Sequence, residues 1–215
     1  MEKKEKGSIL KRIGTAILEN KRWIVLSIVV TIFVLIAEAV LQKEILVFDS
    51  VLYDFLVEHR TNFLNSLFKI ITQLGSATYL IAITFLCVVL IKNKKYKLTI
   101  PLNLIVITWL NVLLKNIFLR PRPNELRIIE ETGFSFPSGH SMVSMAFYGY
   151  FIYLICKNMK NKYLKYTLCA LLSILILLIG LSRIYLGVHY ASDVVAGLCF
   201  SMAYLIFMIS IGVYM

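Results

Sequence analysis

Residues 23–41, WIVLSIVVTIFVLIAEAVL, run for nineteen positions with one ionisable side chain, Glu38. A helix needs about 20 predominantly apolar residues to cross the roughly 30 Å hydrocarbon core of a bilayer. Six such runs punctuate the chain, at about 23–41, 70–91, 98–118, 137–156, 167–184 and from 188 to the C-terminus. Backbone surrounded by lipid must satisfy its own hydrogen bonds, so runs of this length fold as helices. Composition agrees. The 215 residues are 59% hydrophobic and only 16% charged, against about 25% charged in a typical soluble domain. The expected fold is an all-α integral membrane protein with six transmembrane helices. Residues 42–69 mix polar and apolar positions at helical spacing and predict one or two short amphipathic surface helices in the first outer loop.

The formal net charge of +11 would suggest nucleic acid in a soluble chain. Here the arm 1–22 and the turns 92–97 and 157–165 hold fifteen of the 23 basic residues against three acids, Glu2, Glu5 and Glu19. Those three segments fall on one side of a six-span layout, and the positive-inside rule makes that side cytoplasmic. The lysines therefore read as topology signals and headgroup contacts, and no nucleic-acid partner is expected. The start is basic for too long for a cleavable signal, so the first span is expected to stay as a signal anchor. The expected organisation is a cytoplasmic arm, 1–22, followed by one membrane domain, 23–215. Cys87, Cys156, Cys169 and Cys199 form no CxxC or Cys/His cluster and read as small buried hydrophobes.

In this topology the polar residues of four spans gather at one depth on the outer side. Lys115 closes span three, and Arg122 follows it by about two helical turns. Pro137-Ser138-Gly139-His140 opens span four, and Ser182-Arg183 closes span five. His189 and Asp193 open span six, four residues apart on one face. Three cations and two helix N-termini describe an anion site, and three cations on one ligand suggest phosphate. A histidine there can attack phosphorus when a carboxylate holds its other ring nitrogen, as Asp193 is placed to do for His189. His140 is the second histidine available to protonate the leaving oxygen. His-x3-Asp also has metal-ligand spacing, but three fixed cations would repel a divalent ion, so no cofactor is expected.

Lys115-x6-Arg122-Pro123, Pro137-Ser138-Gly139-His140 and Ser182-Arg183-x5-His189-x3-Asp193 resemble the three-part signature of the type-2 phosphatidic acid phosphatase superfamily, across residues 115–193. The superfamily includes membrane lipid phosphatases and soluble vanadium haloperoxidases. The resemblance implies His189 as nucleophile, Asp193 as its partner and His140 as acid and later base. It implies Lys115, Arg122, Ser138, Gly139, Ser182 and Arg183 as phosphate binders. FSFPSGHSM and SRIYLGVHY look most like the small bacterial members acting on phosphatidylglycerol phosphate, phosphatidic acid or undecaprenyl diphosphate. The implied activity is hydrolysis of a lipid phosphate at the outer leaflet of the cell membrane through a phosphohistidine. A silent lipid-phosphate binder or transporter is the alternative, though a transporter would place its charges near the bilayer midplane.

Among the remaining polar residues, His59, Glu38 and Lys69 read as surface or snorkelling groups. Arg120 and Arg127 read as interfacial anchors or headgroup-steering cations, and Glu125, Glu130 and Glu131 as a solvated loop face. Asn103 and Asn111 read as interhelical glue.

Overall fold

The computed structural model describes residues 2–123 and 126–211, with side chains from residue 20 onward. Its helices are α1 (Glu2–Leu41), α2 (Val47–Glu58), α3 (Asn62–Gln73), α4 (Ala77–Leu90), α5 (Lys94–Phe118), α6 (Gly139–Asn158), α7 (Lys162–Tyr185) and α8 (Ala191–Ser210). No strand occurs among the described residues. Side-chain oxygens mark several of the starts: Thr61, Ser76, Asn93, Ser138 and Asn161 each accept from an N–H in the first turn of the helix they cap.

Among the described residues, four helical stretches are long and apolar enough to cross a membrane: Asn20–Leu41, Lys94–Phe118, Lys162–Tyr185 and Ala191–Ser210. The predicted span 70–91 is not one straight helix. It breaks at Leu74–Gly75–Ser76, and α3 and α4 meet there at 46° and pass the same test only together. Alone, the 14 residues of α4 reach only about 21 Å, short of the hydrocarbon thickness. The corner is packed tightly: a Cβ on Gly75 would lie 2.6 Å from Ile179 Cγ2 and 2.8 Å from Ser144 Oγ. Residues 47–58 are helical, whereas α3, expected as a surface helix, is the first half of the broken span.

Helix α6 is the central one, packed against α5, α7 and α8. Ser141, Ser144, Phe147 and Tyr150 are among its buried side chains. Its neighbours stand where lipid would otherwise lie, which explains why it tolerates more polar residues than the four apolar stretches. Asn103 donates to the Ala146 carbonyl at 2.9 Å and Asn111 to the Pro137 carbonyl at 3.1 Å, so both tie α5 to the α6 region as expected. The cysteines depart from the reading as buried hydrophobes. Cys156 is exposed and the other three are half-buried, because they lie toward the periphery of the helix packing.

Helix direction sorts the molecule into two ends. The turns 91–93 and 159–161 join α4 to α5 and α6 to α7 at one end, beside the lysine-rich segments. At the other end lie the C-termini of α1, α5 and α7, the N-termini of α6 and α8, the loop residues 119–123 and 126–138, and α2. Every predicted site residue falls at this second end.

Candidate active site

His189 lies in the short turn between α7 and α8 and is 1% exposed. Its Nδ1 is 3.4 Å from Asp193 Oδ2 and 3.2 Å from Ser135 Oγ. Its Nε2 is 3.0 Å from Arg122 Nη1. A guanidinium can only donate, so this contact assigns Nε2 as the acceptor and leaves the ring proton on Nδ1. His189 and Asp193, four residues apart, thus pair through Nδ1, and the lone pair of Nε2 is directed at a cation. Asp193 is additionally the third residue of α8, and its Oδ2 accepts from the Tyr190 N–H at 2.9 Å. One carboxylate therefore caps the helix and orients the imidazole.

Arg122 is held by backbone. Its guanidinium donates at 3.0 Å to each of the Gly133, Val188 and Thr132 carbonyls. Arg183 is 1% exposed; Nη1 donates to Thr72 Oγ1 at 2.9 Å and Nη2 bonds the Glu131 carboxylate. Its Nε has no partner among the described residues. That N–H is a charged donor available to an anion. Lys115 donates to the Phe134 carbonyl at 2.6 Å, which brings α5 against the same loop.

The other predicted residues serve the frame more than the pocket. Ser138 Oγ accepts from the Ser141 hydroxyl at 3.0 Å and caps α6. Ser182 Oγ donates to the Ile179 carbonyl of its own helix at 2.6 Å. Gly139 packs on Asn111, whose Oδ1 would stand 2.9 Å from an added Cβ, so close helix packing already requires the glycine. His140 makes no hydrogen bond among the described residues and borders an apolar cavity of about 520 Å³ between α4, α5 and α6. His189, Arg122 and Tyr190 border a second cavity, of about 390 Å³, against α2. The structure thus joins His189, Asp193 and Arg122 directly and sets Arg183, Lys115 and His140 around them.

Four residues escape the sequence reading. Ser135 donates to Asp193 Oδ2. Arg120, read as an anchor, is 8% exposed and donates to Asp193 Oδ1 at 2.7 Å. Asp49 of α2 is 2% exposed and accepts from Arg120 at 3.2 Å. Glu131, read as part of a solvated face, is the partner of Arg183. Only Ser135 carries a sequence signal, a hydroxyl two residues before the PSGH run.

Burial pushes the His189 ring down to about 3; the hydrogen bond and charge of Asp193 resist, while Arg183 and Arg122 add to the drop. The ring is therefore neutral at physiological pH. Burial works to raise the Glu131 carboxyl, but the charge and hydrogen bond of Arg183, with Arg122 and His189, hold it below the usual carboxylate range. A group depressed on folding stabilises the native state above its unfolded pKa and loses that contribution as the pH falls toward its folded value. For His189 that window runs from about 6.5 down to about 3. We expect the thermal midpoint of the detergent-solubilised protein to fall as pH drops through this window, and His189→Asn to flatten the fall. An unchanged slope in the variant would contradict a neutral buried ring.

Residues 77–214 match the family model of the PAP2 superfamily. The chain is 30% identical over 190 residues to phosphatidylglycerophosphatase B of Bacillus subtilis (strain 168), across 84% of this chain and 90% of that protein. Its structure is similar to the crystal structure of a transmembrane PAP2 type phosphatidylglycerolphosphate phosphatase from Bacillus subtilis, with a TM-score of 0.75, 26% identity and coverage of 86% and 95% of the two chains. Aquifex aeolicus LpxE shares the fold, with a TM-score of 0.58 at 24% identity over 78% of this chain and 99% of its own.

Proposed function

Because the chain belongs to the PAP2 superfamily of phosphatases, we propose that this multi-pass membrane protein hydrolyses a lipid mono- or diphosphate through a phosphohistidine on His189. The carrying observation is the acceptor Nε2 of His189, backed by Asp193 on the opposite nitrogen and faced by Arg122. Substrate phosphate oxygens take the donors of Arg122, Lys115 and Arg183, including the unpaired Nε. Nε2 then attacks phosphorus, an N–P bond forms, and the P–O bond to the lipid breaks. His140 takes up the proton that the phosphate monoanion brings into the cationic corner and passes it to the leaving oxygen. In the second half the neutral His140 takes a proton from water, which attacks the phosphohistidine and releases inorganic phosphate. Three fixed cations supply the charge stabilisation a metal would otherwise bring, so the reaction proceeds without one.

Residues 23–215 act as one membrane domain of six spans, counting α3–α4 as a single broken span and α6 as a span enclosed by its neighbours. The arm 1–22 and the lysine-rich turns lie in the cytoplasm, and the site lies at the outer leaflet. The apolar cavity beside His140 supports entry of the lipid tails between α4, α5 and α6. The relative's name makes phosphatidylglycerol phosphate the first substrate to assay.

Phosphate release by the purified protein, in excess EDTA, is the test. Phosphatidylglycerol phosphate, phosphatidic acid and undecaprenyl diphosphate are to be compared side by side. Turnover of at least one lipid that survives chelation is expected, and the ranking of rates identifies the substrate. Binding of all three without turnover would instead favour a silent lipid-phosphate binder.

A further inference from the structure

Arg120 sits where the chain leaves α5, and the geometry there is unusual. Leu119, the C-cap, has φ 51, ψ 26, a left-handed conformation that a leucine rarely adopts. The turn sends Arg120 inward, to a site 8% exposed, between two carboxylates whose side chains are fully buried. Nη1 donates to Asp193 Oδ1 at 2.7 Å and to Ser192 Oγ at 2.8 Å, and Nη2 donates to Asp49 Oδ2 at 3.2 Å. The guanidinium lies 4.1 Å from the Tyr190 ring centroid. Asp49 in turn accepts from the Ser192 N–H and hydroxyl, each at 2.7 Å, and so holds α2 on the first turn of α8.

The two oxygens of Asp193 thus have separate duties. Oδ2 receives Ser135, the Tyr190 N–H and the His189 ring; Oδ1 is held by Arg120. A carboxylate free to rotate about its terminal bond would not keep one oxygen on the imidazole. We propose that Arg120, anchored by Asp49, is a positioning residue: it fixes the rotation of Asp193 and so the direction of the His189 lone pair, which makes docking of α2 a condition for an assembled site. The inference rests on the proposed hydrolysis through His189. It goes beyond that reading in giving α2 and the residue two before Arg122 a part in the chemistry.

The positive charge has a second consequence. Arg120 draws on the Asp193 carboxylate and weakens its support of a protonated His189. The other groups facing that ring are Arg122 and Glu131 from the loop, His140 from α6 and Arg183 from α7, while Lys115 of α5 lies near Arg122 and Asp193. None of these groups touches the Arg120 side chain, whose contacts are Asp49, Tyr190, Ser192 and Asp193, so loss of its charge alone should move the acid limb of the pH–rate profile to higher pH.

Steady-state kinetics of the full-length wild type, Arg120→Ala, Arg120→Lys and Asp49→Asn on the best lipid substrate, across a pH series, provide the test. Partners that orient a metal-ligating side chain are commonly worth 10- to 100-fold, and the same scale is applied to a partner that orients a nucleophile's carboxylate. We expect kcat to fall about 100-fold in Arg120→Ala and about 10-fold in Arg120→Lys, with KM within about 2-fold of wild type, and the acid limb to rise in the alanine variant. Asp49→Asn should lower kcat by a smaller factor of about 5. Where the alanine variant fails to fold, the lysine and asparagine variants read the same split between kcat and KM. A thermal midpoint that drops with kcat unchanged would overturn the proposal and leave Arg120 a mere tether for α2. Equal losses in kcat for lysine and alanine, with an unmoved acid limb, would overturn it too. A wild type without turnover would overturn the hydrolytic reading beneath it, a result distinct from either.

Discussion

His189→Ala should lose on the order of 10⁵-fold in kcat while still binding inorganic phosphate, since removal of an activated nucleophile is the largest single loss an enzyme of this kind can suffer. The alanine removes the attacking Nε2 but leaves Arg122 on the Gly133, Val188 and Thr132 carbonyls. Lys115 and Arg183 are equally untouched, so the cationic pocket persists. The comparison to make is turnover against phosphate inhibition, measured on the same preparation. Unaltered turnover would remove His189 from the reaction; loss of phosphate binding together with turnover would show that the ring shapes the pocket instead.

Arg183→Ala should carry the second-largest loss, on the order of 10³- to 10⁴-fold in kcat/KM, in the range found for arginines that stabilise a transferring phosphoryl group. The guanidinium is buried and cross-linked to Thr72 and Glu131, and its Nε donor is unpaired. A phosphate oxygen on that donor would be desolvated, where a charge-assisted bond is strongest. Arg183→Lys should recover only a small part, because one ammonium cannot hold Glu131, Thr72 and substrate in the planar fork that arginine offers. Wild-type kcat/KM in the lysine variant would show that only charge matters at this position. Wild-type kcat/KM in the alanine variant would remove Arg183 from the site.

The apolar runs made the helices legible, and polar residues at four helix ends made the centre of the site legible, because both signals are local. Lys115, Arg122, His189 and Asp193 lie within two turns of a helix end, so helix direction alone brings them to one side. What surrounds them depends on docking between distant segments. Asp49 reaches Ser192 across 143 positions, and nothing in VFDSVLYDF distinguishes that aspartate from Asp54 five residues on. Arg120 reads as an anchor because arginines near a membrane surface commonly are; burial between Asp49 and Asp193 is a tertiary fact. Glu131 reads as solvated for the same reason, and its pairing with Arg183 of α7 is equally a tertiary fact. The break at Gly75 was equally hidden. Its glycine and serine look ordinary until Ile179 and Ser144 are seen pressing on the corner.

The covalent intermediate is the most direct handle on the account as a whole. Wild-type protein and His189→Ala are to be mixed with lipid carrying a radiolabelled terminal phosphate in excess EDTA, then quenched in alkali within one turnover. Phosphohistidine survives base and is lost in acid. Acid-labile label on the wild-type chain, at a level that rises and decays with turnover and is absent from His189→Ala, is the predicted result. Full turnover with no label on the chain, or turnover abolished by the chelator, would contradict it.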